Sequence, residues 1–306
     1  MQRRTLSASF INFKTIIYNE LFGLFKMRKS KLDGMYYKSA PTLINKEIEE
    51  AFLSEKGPGT TPADLNPKHT IKGLIVPKFR YKESAPSSAW GYKTLAESKK
   101  PDVIIILGQN EQDSGLTQEP WETPYGILRV DQKLARQIIE RKHIQQNDSL
   151  FDDDEFIESQ LPFLQYIYKG KQPQILPILL NAQLNLKELA TDIKEALLDQ
   201  NKTACIIIPV NLTKHGAIHK YLPFSEKINK KVGELDREAI EVIQSANPKK
   251  YLEFVEEKGM NTDNVLGIVM AMLLTKSKYE LEQYYTLADI TNDEKDVVSF
   301  ASVVLK

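Results

Sequence analysis

Four short apolar runs constrain this chain more than anything else in it: residues 74–77, 103–108, 175–180 and 205–210. Each is rich in Val, Ile and Leu at successive positions, as expected of strands buried on both faces. Segments of helical periodicity separate them, and strands alternating with helices define an α/β fold with a mainly parallel central sheet and helices on both faces. Helices are expected over 41–54, over 86–95 with Pro86 in the first turn, and over 131–142 with Asp131 as N-cap. Further helices are expected over 152–168, where acids at 152–155 favour the N-terminal dipole, and over 186–199, 234–245, 247–258 and 267–274. Residues 280–287 and 297–305 read as late strands forming an antiparallel edge.

The strand ends are where function should reside, because ligands of open α/β sheets sit beyond the carboxyl ends of the strands. The first tip carries Lys78, Phe79, Arg80 and Tyr81, and the second Gln109, Asn110 and Glu111. The third carries Asn181 and Gln183, and the fourth Asn211, Lys214 and His215. These are amides, lysines, one arginine and a histidine, a poor set for a catalytic metal. Lys78 and Arg80 suggest an anion-binding site or a base, against the plainer reading of two solvated charges. His215 and His219 have the i, i+4 spacing of a metal pair, but Gly216 lies between them and ordinary loop histidines are the simpler reading.

Several function classes lack their signatures. There is no glycine-rich phosphate loop or dinucleotide fingerprint and no Gly-x-Ser-x-Gly elbow. Lys plus Arg and Asp plus Glu both number 41, so no global charge points to nucleic acid or an anionic membrane. The single cysteine, Cys205, cannot form an internal disulfide, and a reducing, cytoplasmic setting fits. Residues 1–34 form a basic extension that admits three readings: an amphipathic surface helix, an organelle transit peptide, or sequence upstream of a start at Met27. No run there is long enough to span a bilayer. Residues 35–306 then form a single domain.

Several segments are similar to motifs of the Memo family, which includes the prokaryotic AmmeMemoRadiSam system protein B and is related in fold to class III extradiol dioxygenases. Glu122-Thr123-Pro124-Tyr125-Gly126-Ile127-Leu128-Arg129-Val130-Asp131-Gln132-Lys133 resembles the family's Arg-Thr-Pro-Leu-Tyr-Asp-Leu-Arg-Ile-Asp-Gln-Lys. Ile75-Val76-Pro77-Lys78-Phe79-Arg80-Tyr81 lies where the family has Ile-Ala-Pro-His-Ala-Gly-Tyr. Ile106-Leu107-Gly108-Gln109-Asn110-Glu111 stands for Ile-Leu-Gly-Pro-Ser-His, and Glu158-Ser159-Gln160-Leu161-Pro162-Phe163 for Glu-Met-His-Leu-Pro-Tyr. Asn211-Leu212-Thr213-Lys214-His215-Gly216 occupies the Ser-Asp-Phe-Cys-His-Trp-Gly region.

The resemblance implies a metal or redox role for the family, with two motif histidines and a later cysteine as ligands. Those positions correspond here to Lys78, Glu111 and about Asn261; the motif aspartate becomes Asn211 and the Leu-Pro histidine becomes Gln160. A protonated lysine cannot ligate, and amide carbonyls are weak ligands for iron, copper or zinc. The expectation is therefore a metal-free pseudoenzyme without a cofactor, binding a small anionic ligand or a protein partner. Its candidate residues are Lys78, Arg80, Tyr81, Glu111, Asn211, His215 and Asn261. One alternative is an enzyme using Lys78 as base or imine-forming amine with Glu111 and Tyr81 as proton carriers. Another keeps a metal, with residual dioxygenase-like activity, through Glu111, His215 and His219.

Overall fold

The computed structural model describes residues 26–63, 67 and 69–306. The helix or transit reading of the first 25 residues lies outside them. In chain order the elements are α1 (Pro41–Leu53), β1 (Gly73–Val76), α2 (Tyr81–Ala96), β2 (Val103–Gln109), β3 (Gly115–Leu116), β4 (Trp121–Thr123) and β5 (Gly126–Leu128). Then come α3 (Gln132–Glu140), α4 (Leu161–Ile167), β6 (Gln174–Leu180), α5 (Leu186–Asp199), β7 (Ala204–Pro209) and β8 (Lys214–His215). The chain closes with α6 (Ile228–Gln244), α7 (Pro248–Lys258), α8 (Val265–Leu274), β9 (Tyr279–Thr286), α9 (Ala288–Thr291) and β10 (Val297–Leu305).

The four apolar runs are β1, β2, β6 and β7, and they form the parallel heart of the sheet in the order β6-β2-β7-β1. Successive side chains of a strand face opposite ways, and each face has its own helical cover. Val103, Ile105 and Leu107 of β2 pack with Leu189 and Ile193 of α5 and Ile268 of α8. Ile104 and Ile106 pack instead with Ile44 and Phe52 of α1 and Ala89 and Tyr92 of α2. The late strands pair antiparallel, with β10 also joining β1, so they form the expected antiparallel margin. Helix α2 lies close on the sheet at Gly91, where an added Cβ would sit 2.9 Å from Ser302 Oγ and 3.2 Å from a Val76 methyl.

Two local expectations need correction. Helix α2 starts at Tyr81, and Pro86 lies inside it. Burial of Tyr81, Ser84 and Ala85 against the core outweighs the interior proline. Residues 152–168 are not one helix: two 3-10 turns, Asp148–Phe151 and Glu158–Gln160, precede α4. The Asp154 carboxylate accepts from the backbone N–H groups of Phe156 and Ile157, an alternative to helical bonding at the point where the helix fails. Residues 28–34 are packed on the body. Arg28 lies beside the touching Trp121 and Phe151 rings and pairs with Asp152 at 2.8 Å. The buried Glu158 carboxylate accepts from Lys31 N, Leu32 N, Ser30 Oγ and the Tyr37 hydroxyl. Among the described residues no helix is long and apolar enough to cross a membrane.

Candidate functional site

The end of β1 delivers Lys78 to the carboxyl side of the sheet, and Asn211, two residues after β7, holds it there. Asn211 is buried; its Oδ1 accepts from Lys78 N at 3.1 Å and its Nδ2 donates to Lys78 O at 2.6 Å. Asn211 N in turn donates to Asp263 Oδ1 at 2.7 Å, so the loop before α8 joins the same cluster. Asn264, the N-cap of α8, fixes the floor: its Nδ2 donates to Leu107 O and Pro209 O, each at 2.7 Å, and its Oδ1 accepts from Gly267 N. Its backbone takes φ +57°, in the left-handed region that Asn tolerates better than most residues.

The Lys78 ammonium is partnered on several sides. It donates to Glu155 Oε2 at 3.0 Å, lies 3.9 Å from Asp263 Oδ2, and sits 4.3 Å from the centroid of the Phe156 ring. Lys214 Nζ stands 3.4 Å from the same Asp263 oxygen. Burial acts to lower the Lys78 pKa, but Asp263 and Glu155 more than offset it and hold the ammonium above its ordinary value. Glu155 shows the mirror effect: burial would raise its pKa, yet Lys78 and the Tyr36 hydroxyl bring it below the usual range. Burial pushes Asp154 up to about 6 despite its two backbone donors and nearby Lys78.

Lys78 and Glu111 face one cavity of about 490 Å³, with Asp153, Asp154, Glu155 and Phe156 also in its wall beside the amides of the β2 tip. Among the expected site residues, Lys78, Glu111 and Asn211 thus belong together, and the others point elsewhere. Tyr81 is buried and donates to Ser159 O at 2.7 Å within a cluster containing Tyr37 and Phe163. Arg80 is largely solvated, pairing with Glu83 at 3.3 Å. Asn261 braces the turn after β8 by donating to Lys214 O and His219 O. His215 is fully buried, its Nε2 3.1 Å from Phe224 O and its ring stacked on Phe224. Gln160 is a strut under the β1 tip, its Nε2 donating to Pro77 O and its Oε1 accepting from the Tyr92 hydroxyl.

Sequence reasoning missed Glu155, Asp263 and Tyr36, and named Lys214 only as a strand-tip residue. Glu155 was visible in the run of four acids, whose members go separate ways. Asp152 pairs with Arg28, Asp153 pairs with Lys31, Asp154 closes a turn, and Glu155 meets Lys78. Asp263 was two residues from Asn261, with nothing in its own neighbourhood to mark it. Among the described residues no three His, Cys, Asp or Glu side chains group so as to hold a metal ion. The residues present do not fit a divalent ion: Lys78 would repel it, and the nearest carboxylates already pair with ammonium groups.

The fold and cleft define an α/β protein with a mainly parallel sheet and a polar site at the strand tips. Comparison with known proteins places it further: the model of the family described as "Memo-like protein" matches residues 28–304, and the chain belongs to that family. It is similar to a MEMO1 family protein of Methanopyrus kandleri, 28% identical over 293 residues that cover 91% of this chain and 99% of the relative. A MEMO1 family protein of Desulfurococcus amylolyticus is 30% identical over 291 residues, covering 91% and 98%. An uncharacterized protein of Escherichia coli K12, of known crystal structure, shares the fold with a TM-score of 0.52 at 12% identity, covering 77% of this chain and all of that one.

Proposed function

We propose that this Memo family chain is a metal-independent binding protein whose cleft takes a small cationic ligand, such as an alkyl amine or guanidinium compound. The observation that carries this reading is the ion-pair cluster of Lys78, Glu155, Asp263 and Lys214. It stands at the strand tips where the family resemblance puts metal ligands. Lys78 is already matched by carboxylates, so it has little charge left for an anion. Of the acids in the cavity wall, Glu155 is committed to Lys78 and Asp153 to Lys31, which among the described residues leaves Glu111 and Asp154 without an ammonium partner. These observations favour a cation over the anion suggested by Lys78 and Arg80 in the sequence.

Two observations oppose lysine-based catalysis. Lys78 is held protonated, whereas an imine-forming amine must lose its proton near neutral pH. Tyr81, the expected proton carrier, is committed to Ser159 O away from the cavity.

The test is elemental analysis of the purified full chain together with thermal-shift measurements using arginine amide, putrescine and citrate. The amines are expected to raise the unfolding temperature, less so for Glu111→Gln, while citrate does not. Stoichiometric iron, copper or zinc that is lost in Glu155→Gln would overturn the metal-independent reading. Stabilisation by citrate, abolished in Lys78→Met, would overturn the choice of a cation.

A further inference from the structure

The opposite end of the sheet carries a second cavity, of about 650 Å³. It lies at the amino ends of β1, β2 and β7, under the end of α8 and beside α5. Six lysines surround it: Lys72, Lys99, Lys100, Lys194, Lys202 and Lys276. Among the described residues no Asp or Glu contributes to its wall, although the chain as a whole has no net charge. Its floor is aliphatic, made of Ile105, Ile193, Leu197, Ile206 and Leu274.

The lysines divide into two groups. Lys202 pairs with Asp131, Lys194 Nζ donates to Leu273 O, and Lys100 Nζ donates to Lys171 O. Among the described residues, Lys72, Lys99 and Lys276 have no ion pair or side-chain hydrogen bond. Asp102, next in sequence to the lining residue Pro101, accepts from the hydroxyl and backbone N–H of Thr203. Three unpaired cations thus surround an aliphatic hollow within the size range of small-molecule sites, ~300–1,000 Å³.

We propose that this cavity binds an alkyl carboxylate, with the carboxylate among Lys72, Lys99 and Lys276 and the chain over the Ile and Leu floor. The composition of the wall selects this class. A nucleotide would need base-edge partners or an aromatic ring to stack on, and among the described residues the wall has no Asn, Gln, Asp, Glu, Phe, Tyr or Trp. A bare inorganic anion would leave the aliphatic floor uncovered. An anion with an aliphatic tail satisfies both the charge and the floor. The site shares no residue with the Lys78 cleft, so it stands independently of the function proposed for that cleft.

Titration calorimetry of the full chain with decanoate tests the proposal. One molecule is expected to bind per chain, more weakly at high salt. Octanoate should bind up to about 15-fold more weakly, since each buried methylene is worth about four-fold. Decanol and acetate should show no comparable binding. The exposed double variant Lys99→Glu/Lys276→Glu, checked for native circular dichroism, should weaken decanoate at least about ten-fold, and Lys78→Met should not change it. Absence of saturable decanoate binding would overturn the proposal, as would equal binding of decanol. Binding unchanged in the double variant, or association only with anionic phospholipid vesicles and not with soluble decanoate, would also overturn it.

Discussion

Asn211 binds the backbone of Lys78 from both sides, its carboxamide accepting from Lys78 N and donating to Lys78 O. Two strand ends that are distant in sequence are joined by one buried side chain. An aspartate at this position could accept the first bond but, as a carboxylate, could not donate the second. Asn211→Asp is therefore expected to destabilise the fold by roughly 1–3 kcal/mol, with an unpaired carbonyl at Lys78 and added repulsion from Asp263. Urea unfolding at neutral pH measures the loss, and a value indistinguishable from the parent would show that the clasp contributes nothing to stability.

The Lys78–Glu155 pair sets a pH window. Glu155 has a lowered pKa in the folded chain, so its contribution is complete above its ordinary ~4.3 and is lost as pH falls through the folded value. Lys78 has a raised pKa, so its contribution is complete below ~10.4 and is lost as pH rises through the folded value. Because the Glu155 side chain is 42% exposed, water screens the pair, and about 1 kcal/mol is expected at neutral pH. Lys78→Met should lower stability by that amount between about pH 5 and 10 and converge with the parent beyond either limit. Parallel stability curves at all pH values would contradict the pairing.

Asp154 works in the opposite sense. Its folded pKa of about 6 lies above the unfolded ~3.9, so the unfolded chain gives up this proton first as pH rises. Stability is expected to fall between about pH 4 and 6 on this group's account. In Asp154→Asn, whose amide oxygen can still accept from Ile157 N, that component should vanish. The difference between the two stability–pH curves isolates it, and a flat difference across this window would show that Asp154 is not responsible.

Glu158 tethers the segment that precedes α1. Its replacement by Gln keeps the volume but swaps an acceptor oxygen for a donor facing other donors, at an expected cost of roughly 1.5–3 kcal/mol. The segment should also loosen. Limited trypsin digestion should cleave after Lys29 or Lys31 faster in Glu158→Gln than in the parent, and equal rates would argue against the tether.

The parallel heart of the fold was legible because residues 103–108, 175–180 and 205–210 are apolar at every position, a pattern that requires cover on both faces. Local rules failed where distant partners decide. Pro86 signals a helix start, but burial of Tyr81 and Ala85 moves the start five residues earlier. The acids at 152–155 signal a helix N-terminus, but ion pairs to Arg28, Lys31 and Lys78 draw three of them apart. At the site, the strand-tip rule located Lys78, Glu111 and Asn211. It could not give direction, so it also suggested Tyr81 and His215, whose polar atoms turn to Ser159 and Phe224. Glu155 and Asp263 reach the cleft from loops, whose paths are set by contacts that no local pattern encodes.

Asn264 ties the carboxyl ends of β2 and β7 to the first turn of α8 through three hydrogen bonds from one side chain. The carboxyl ends of these two strands are thereby held to one helix start, and parting them would break these bonds. Any adjustment to a guest falls to the two rims of the cleft, residues 110–114 and 149–155. On the binding role proposed for this cleft, selectivity is set by those two rims.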